Sequence, residues 1–141
     1  EIGKAEGARL AFGGERLARD NEGFYLSPAL FTGAHNGMRI AREEIFGPVV
    51  ATMTFRDLDE AVTVGNDTSY GLAAAVWTKD IKKAHRAVRA LRAGTVWVNT
   101  YNAFDAAVPF GGYKESGVGR ELGRHALDLY TQTKSVWVAL D

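Results

Sequence analysis

Between Pro48 and Asn99, short apolar β-rich runs alternate with amphipathic stretches of helical period, and nothing else in the chain restricts its fold so tightly. "VVATMTF" places Ala51, Met53 and Phe55 on one face and Thr52 and Thr54 on the other, the pattern of a half-buried strand. Asp57 sits three residues before Glu60, the spacing of a reciprocal helix cap, and the helix "LDEAVTVGND" is expected to bury Leu58, Ala61 and Val62. "YGLAAAVWT" is a continuous apolar run, as in a strand covered on both faces. Asp80 is placed to cap the next helix, whose stripe is Ile81, Ala84, Val88 and Leu91, with Gly94 at its stop position. "TVWVN" (Thr95–Asn99) is another strand. Alternation of this kind builds βαβ units, so the expected fold is α/β: a mainly parallel sheet with flanking helices.

The flanks are less regular. "EIGKAEGA" reads as the tail of a helix, and "ARLAFGG" as a short strand closed by Gly13 and Gly14. "GGERLARDNEG" reads as a loop or hairpin connection. "FYLSPALF" has strand composition, with Pro28 forcing an edge or a bend at its middle, and "TGAHNGMRIAREE" reads as irregular. A long loop runs from Thr100 to about Ser116, a length uncommon without a function. A helix from Val118 to Tyr130, with Leu122, Ala126 and Leu129 on one face, and a closing strand "KSVWVAL" complete the expectation.

Composition serves mainly to exclude. The 141 residues match one domain of about 100–200. Seventeen basic residues balance seventeen acidic ones, so the basic footprint of a nucleic-acid binder is missing. "GLAAAVW" falls far short of the roughly 18 residues of a membrane span. "EIGKAEGARL" has neither the basic n-region nor the apolar h-region of a signal peptide, and the missing initiator Met reads as a start lost upstream. There is no cysteine, so this chain contains no disulfide, thiolate metal site or cysteine nucleophile. His35, His85 and His125 lack metal-ligand spacing, and no metal is expected.

Four stretches invite a functional reading. "GVGRELG" (Gly117–Gly123) is one residue too long for a dinucleotide fingerprint and follows a loop, so close packing of its glycines is the better account. In "PFGGYKESG", Gly111 and Gly112 suggest a turn of positive φ. Tyr101, Phe104 and Phe110 either glue the long loop to its domain or line an apolar pocket. Glu43 and Glu44, in "AREEIFGPVV", read as solvent-facing, yet a carboxylate can accept both vicinal hydroxyls of a ribose, with Phe46 as an apolar face and Gly-Pro fixing the turn.

Taken in order, "EEIFGPV", "NDTSYGLAAAVWTKD", "AGTVWVN" and "PFGGYKESGVGRELG" resemble the C-terminal part of the NAD(P)-dependent aldehyde dehydrogenase superfamily across nearly the whole chain. The resemblance implies a partial catalytic domain over residues 1–134 and an oligomerisation strand over 135–141 that serves a cytoplasmic homodimer or homotetramer. It implies oxidation of a small-molecule aldehyde to the acid through a cysteine thiohemiacetal, with NAD favoured over NADP. By match to the family's E-x-F-G-P motif, Glu44 contacts the nicotinamide ribose and Phe46 packs beside it. Leu72 matches a position at the nicotinamide pocket, and Phe104 and Phe110 match the walls of the substrate tunnel. No catalytic residue is assigned here, because nucleophile, base and oxyanion Asn lie upstream in the family, and the isolated chain is expected to be inactive. The alternatives are a non-catalytic truncated or split-gene product with an assembly role, and a generic α/β binding module.

Overall fold

Pro48 opens a strand whose partner begins just after Pro28, and this pairing organises the N-terminal half. The computed structural model describes residues 1–17 and 23–141, which form two compact units, Glu1–Thr68 and Ser69–Asp141.

In the first unit, β1 (Arg9–Phe12), β4 (Ala29–Thr32) and β5 (Val49–Ala51) form a sheet in the order β1-β4-β5. β1 runs antiparallel to β4, and β5 runs parallel to it with Ala29 opposite Val49. β2 (Arg16–Leu17) and β3 (Tyr25–Leu26) pair as the arms of a hairpin; residues 18–22 of the expected connection lie outside the described residues. Pro28 thus breaks "FYLSPALF" into two strands, and the second is central, with the proline just ahead of it where no ladder donor is lost. Ala8, Ala29, Phe31, Ala34 and Met38 are buried together, with Leu10, Ile40, Val49, Ala51 and Met53 against them. Phe55, expected on the same face as Met53, is instead 62% exposed, because β5 ends at Ala51 and the alternation stops with it.

The helix α1 (Ile2–Ala5) brings Gly3 against Ile40 and Phe31, where a Cβ would lie 2.9 Å from Ile40 Cδ1. The stretch expected to be irregular contains one helical turn, α2 (Arg39–Arg42), whose first backbone N–H donates to the Glu6 carboxylate. The helix α3 (Leu58–Asn66) is capped as expected: Asp57 Oδ1 accepts the Glu60 N–H at 2.9 Å. The return half of the cap is shifted, since the Glu60 carboxylate accepts from Arg56 N–H rather than Asp57. Leu58, Ala61 and Val62 are half-buried.

In the second unit, β7 (Ala73–Val76) and β8 (Thr95–Val98) pair in parallel across α4 (Ile81–Ala90), and β6 (Tyr70–Gly71) pairs antiparallel with β9 (Tyr113–Lys114). Asp80 caps α4 by accepting from Lys82 and Lys83 N–H. The buried stripe of α4 is Ala84 and Ala87; Ile81 and Val88, expected inside, are exposed, because the small alanines face the sheet. β7 is half-buried rather than fully covered, and the run is broken at Leu72. Gly94 does not end α4, which stops at Ala90; it permits a close backbone crossing instead, since a Cβ there would lie 1.6 Å from Gly111 O.

Two larger expectations are corrected. The sheet is not mainly parallel: β4–β5 and β7–β8 are parallel, while β1–β4, β2–β3 and β6–β9 are antiparallel, because the long loop and the N-terminal hairpin return strands beside their neighbours. The helix expected from Val118 is reduced to a 3-10 turn (Arg124–Ala126) and α5 (Leu127–Tyr130). Gly119, Leu122 and Gly123 all have positive φ, which a right-handed helix cannot accommodate. Residues 131–141 form neither helix nor strand, so the closing strand is not formed in the single chain, and Trp137 is 95% exposed.

Candidate functional site

The residues singled out from the sequence fall in both units, Glu44 and Phe46 in the first, Leu72, Phe104 and Phe110 in the second. Each group has its own geometry.

Glu44 and Phe46 occupy the turn between α2 and β5. One end of that turn is tied by Glu43, whose N–H donates to Arg39 O and whose two carboxylate oxygens accept from Arg39 Nε and Nη2, each at 2.7 Å. The bidentate hydrogen bonds from Arg39 hold the Glu43 carboxyl below the usual carboxylate range. The other end is tied by Pro48, whose carbonyl accepts the Ala29 N–H at 2.8 Å beside the β4–β5 pairing. Between these anchors Glu44 is exposed, and among the described residues its carboxylate makes no hydrogen bond or ion pair. Phe46 is 95% exposed at φ +50°, an unusual backbone for a bulky side chain. Strain of this kind, about 1–3 kcal/mol, persists where the surroundings impose it and often marks a ligand site. The two adjacent acids are therefore different in kind: Glu43 is a structural anchor, and Glu44 is a free acceptor.

α2 is braced further. Asn36 Nδ2 donates to Val64 O, to Asp67 O and to Asp67 Oδ2, and Arg42 Nη2 pairs with Asp67 Oδ2 at 2.9 Å. These contacts tie the last turn of α3 to the base of the Glu44 turn.

In the second unit the long loop is organised by Trp97, the buried residue of β8. Its indole N–H donates to Ala103 O at 2.8 Å, and its ring meets Tyr101 and Phe104 edge-on at 5.2 and 5.7 Å. Phe104 in turn meets Phe110 edge-on at 5.0 Å. The aromatics thus both fix the loop and line space. A cavity of 320 Å³ lies among Val96, Trp97, Phe104, Pro109 and Phe110. A second, of 260 Å³, lies among Leu72, Phe110, Ser116, Arg120 and Leu129. Phe110 is a wall of both, whereas Phe104 borders only the first and Leu72 only the second. Gly111 and Gly112 lack the expected positive φ; that conformation falls at Lys114, and the two glycines are small because backbone and Arg120 pass within 3 Å of where their Cβ atoms would be.

A larger cavity, 560 Å³, lies at the ends of β7 and β8 beside Trp77, Ile81 and Asn99, and holds none of the five residues. The Asn99 amide there is already engaged, accepting from Thr78 N–H and donating to Thr78 O. A site with few free convergent polar groups is a poor match for a cofactor. No group of three or more His, Cys, Asp or Glu among the described residues could hold a metal ion, and no helix among them is long and apolar enough to cross a membrane. Trp97 and Arg120 were missed from sequence. Trp97 carried a signal, as the one large aromatic of a β-rich run, whereas Arg120 showed none.

The chain matches the family model described as "Aldehyde dehydrogenase family" over residues 1–136. It is 55% identical over 134 residues to an aldehyde dehydrogenase of Aspergillus niger, covering 95% of this chain and 27% of that protein. It is 52% identical over 141 residues to one of Agaricus bisporus, covering 100% and 28%. Among solved structures, an indole-3-acetaldehyde dehydrogenase of P. syringae in complex with NAD+ and IAA superposes with a TM-score of 0.93 at 52% identity, covering 99% of this chain and 28% of that one. Betaine aldehyde dehydrogenase from Staphylococcus aureus in complex with NAD+ gives 0.89 at 47% identity, covering 92% and 26%. The chain therefore spans little more than a quarter of the length of the relatives it matches.

Proposed function

From the premise that the chain belongs to the aldehyde dehydrogenase family, we propose that it supplies the cofactor-ribose and substrate-tunnel contacts of an NAD(P)-dependent enzyme that oxidises an aldehyde to a carboxylic acid. The observation that carries this reading is the contrast between two neighbours, Glu43 consumed by Arg39 and Glu44 free on a turn anchored at both ends. A free carboxylate has two acceptor oxygens for two vicinal hydroxyls, and Phe46 offers an apolar face beside it, so these residues fit a nicotinamide ribose. When bound, the nicotinamide accepts hydride. Glu44 orients the ribose, Leu72 packs at the nicotinamide end, and Phe104 and Phe110 pack the apolar part of the aldehyde and exclude water. NAD is favoured over NADP by the relatives solved with NAD+.

In the complete subunit a cysteine thiolate attacks the carbonyl carbon to give a thiohemiacetal, hydride departs, and water releases the acid. A betaine aldehyde dehydrogenase from Staphylococcus aureus has been solved with a mercaptoethanol-modified cysteine, so that relative carries a reactive thiol. No cysteine stands in these 141 residues, so the nucleophile comes from polypeptide outside them and the isolated chain does not oxidise aldehydes. Aldehyde-dependent NAD reduction by the isolated chain overturns that statement. In the complete subunit, Glu44→Gln lowers NAD affinity and the single-turnover hydride rate, each by about tenfold, as expected for loss of charge-assisted hydrogen bonds; both unchanged overturns the ribose assignment.

An assembly role is the second reading, and the exposed run of Val136, Trp137 and Val138 favours it. Residues 135–141, following the partial catalytic domain of 1–134, become the strand that joins subunits of a cytoplasmic homodimer or homotetramer once a partner supplies the ladder. Size-exclusion of the complete subunit with and without 135–141 tests this: an unchanged elution volume rejects it.

A further inference from the structure

We infer that Arg120 is the positioning residue that sets the shape of the apolar path on both sides of Phe110, and thereby which aldehydes the enzyme accepts. This rests on the reading of Phe110 as a tunnel wall.

Arg120 Nη1 donates to Gly112 O at 3.0 Å and to Gly119 O at 2.6 Å, carbonyls on the two arms of the loop that turns around Lys114–Gly117. The guanidinium carbon lies 5.2 Å from the centre of the Tyr113 ring at the head of that turn. The side chain runs directly over Gly111: a Cβ there would lie 2.9 Å from Arg120 Cδ and 3.2 Å from Nη1. Gly111 is therefore the cradle of the arginine. The next residue, Glu121, exchanges both backbone hydrogen bonds with Phe110 at 2.7 Å. One short segment, Arg120-Glu121, thus fixes Phe110, Gly111 and Gly112 in succession, and Phe110 borders both the 320 Å³ and the 260 Å³ cavities.

The chemistry is specific to arginine. Arg120 holds both carbonyls through one nitrogen while its guanidinium carbon stays over the Tyr113 ring, a placement set by the rigid guanidinium plane that a lysine ammonium, a point charge on a flexible stem, does not reproduce. Without the guanidinium, Gly112 O and Gly119 O lose this donor and the wall loses its tie. The position of Phe110 then changes, which alters the fit of a bulky aldehyde more than that of a small one.

The test uses the complete subunit with benzaldehyde and acetaldehyde as probes. Arg120→Ala changes the ratio of kcat/KM for the two aldehydes by about tenfold, the scale of discrimination by apolar pocket shape, and changes the KM for NAD by less than the aldehyde KM values. Arg120→Lys behaves as the alanine variant does, and millimolar guanidinium ion restores the ratio in Arg120→Ala. An unchanged ratio in both variants, or equal changes in the aldehyde and NAD KM values, overturns the proposal. If Arg120→Ala does not fold, Arg120→Lys carries the same readouts. In the 141-residue chain, Arg120→Lys also speeds amide exchange at Phe110 and Glu121 relative to the β7–β8 amides, and equal exchange overturns the clasp. Complete wild-type subunit that reduces NAD with neither aldehyde defeats the functional reading, whereas active wild type with unaltered selectivity in the variants defeats only the role of Arg120.

Discussion

The Glu44 turn and the Phe110 loop solve opposite problems. The first leaves one charged side chain without a partner, and it does so with few residues, an anchor at each end and a strained Phe46 between them. The second shapes apolar space, and it does so with a long loop held internally by Trp97, Arg120 and glycines that let backbones touch. A charged contact needs one side chain in one direction, so fixing two short ends suffices. A wall needs several surfaces at fixed separation, so the whole loop must be knitted. Cβ atoms report the difference: the loop has no room for one at its crossings, while the turn carries one where the backbone disfavours it.

The largest effect follows from adding a Cβ at the tightest crossing. Gly94→Ala would place a methyl group 1.6 Å from Gly111 O, a backbone atom that cannot rotate away. The expected loss is about 4 kcal/mol, near the top of the range for single substitutions, in a denaturant titration followed by Trp fluorescence. Gly117→Ala is the control: Gly117 has positive φ but nothing within 4 Å, so its cost is conformational only, about 1 kcal/mol or somewhat more. Equal losses in the two variants would remove the claim that crossings hold the loop.

Removing a Cβ from the turn is expected to act the other way. Phe46 is exposed and contributes little packing, so Phe46→Gly relieves its left-handed strain. Glycine's greater freedom in the unfolded chain offsets about 0.5–1 kcal/mol of that gain. The net expectation is a thermal midpoint equal to wild type or raised by a few degrees, equivalent to up to about 1 kcal/mol, together with weaker NAD binding in the complete subunit. A clear fall in the midpoint would mean that Phe46 packs in the fold, and that the turn is not strained for a ligand.

The same contrast explains what could be read in advance. The caps at Asp57 and Asp80 and the strands at Val49–Ala51, Ala73–Val76 and Thr95–Val98 were legible because they depend on neighbours along the chain. The strand β1 was legible in "ARLAFGG", but its antiparallel pairing, the strand β9 and the loss of helix after Val118 were not, because they depend on residues met in space: Leu10 against Phe31, Tyr113 against Gly71, and Glu121 against Phe110. Glycine in particular reads ambiguously in one dimension. Gly94 resembles a helix stop and Gly111 a turn, yet each is small because another backbone or an arginine passes over it. Glu44 was distinguishable from Glu43 only by resemblance to a motif; the structure adds the physical distinction, which is that Arg39 has taken one of them.

That distinction leads to the smallest expected effect. The hydrogen bonds from Arg39 lower the Glu43 pKa, so folding favours the carboxylate. The sign follows from linkage: the stabilisation is complete above the unfolded carboxylate value of about 4.3 and is lost as pH falls through the lower folded value. The pair is exposed, so the change in global stability is small and is screened by salt. Its local consequence is clearer, because Glu43 is the anchor of the Glu44 turn. Acidification to pH 3 is expected to reduce amide protection at Glu43, and Glu43→Gln to reduce it already at pH 7 and remove most of the further dependence. Phe110 and Glu121 are held by carbonyl acceptors, which do not titrate in this range, so their protection should not follow the same curve. Parallel loss at both loops would show that one acid transition governs the whole chain and that the two loops are not held by different means.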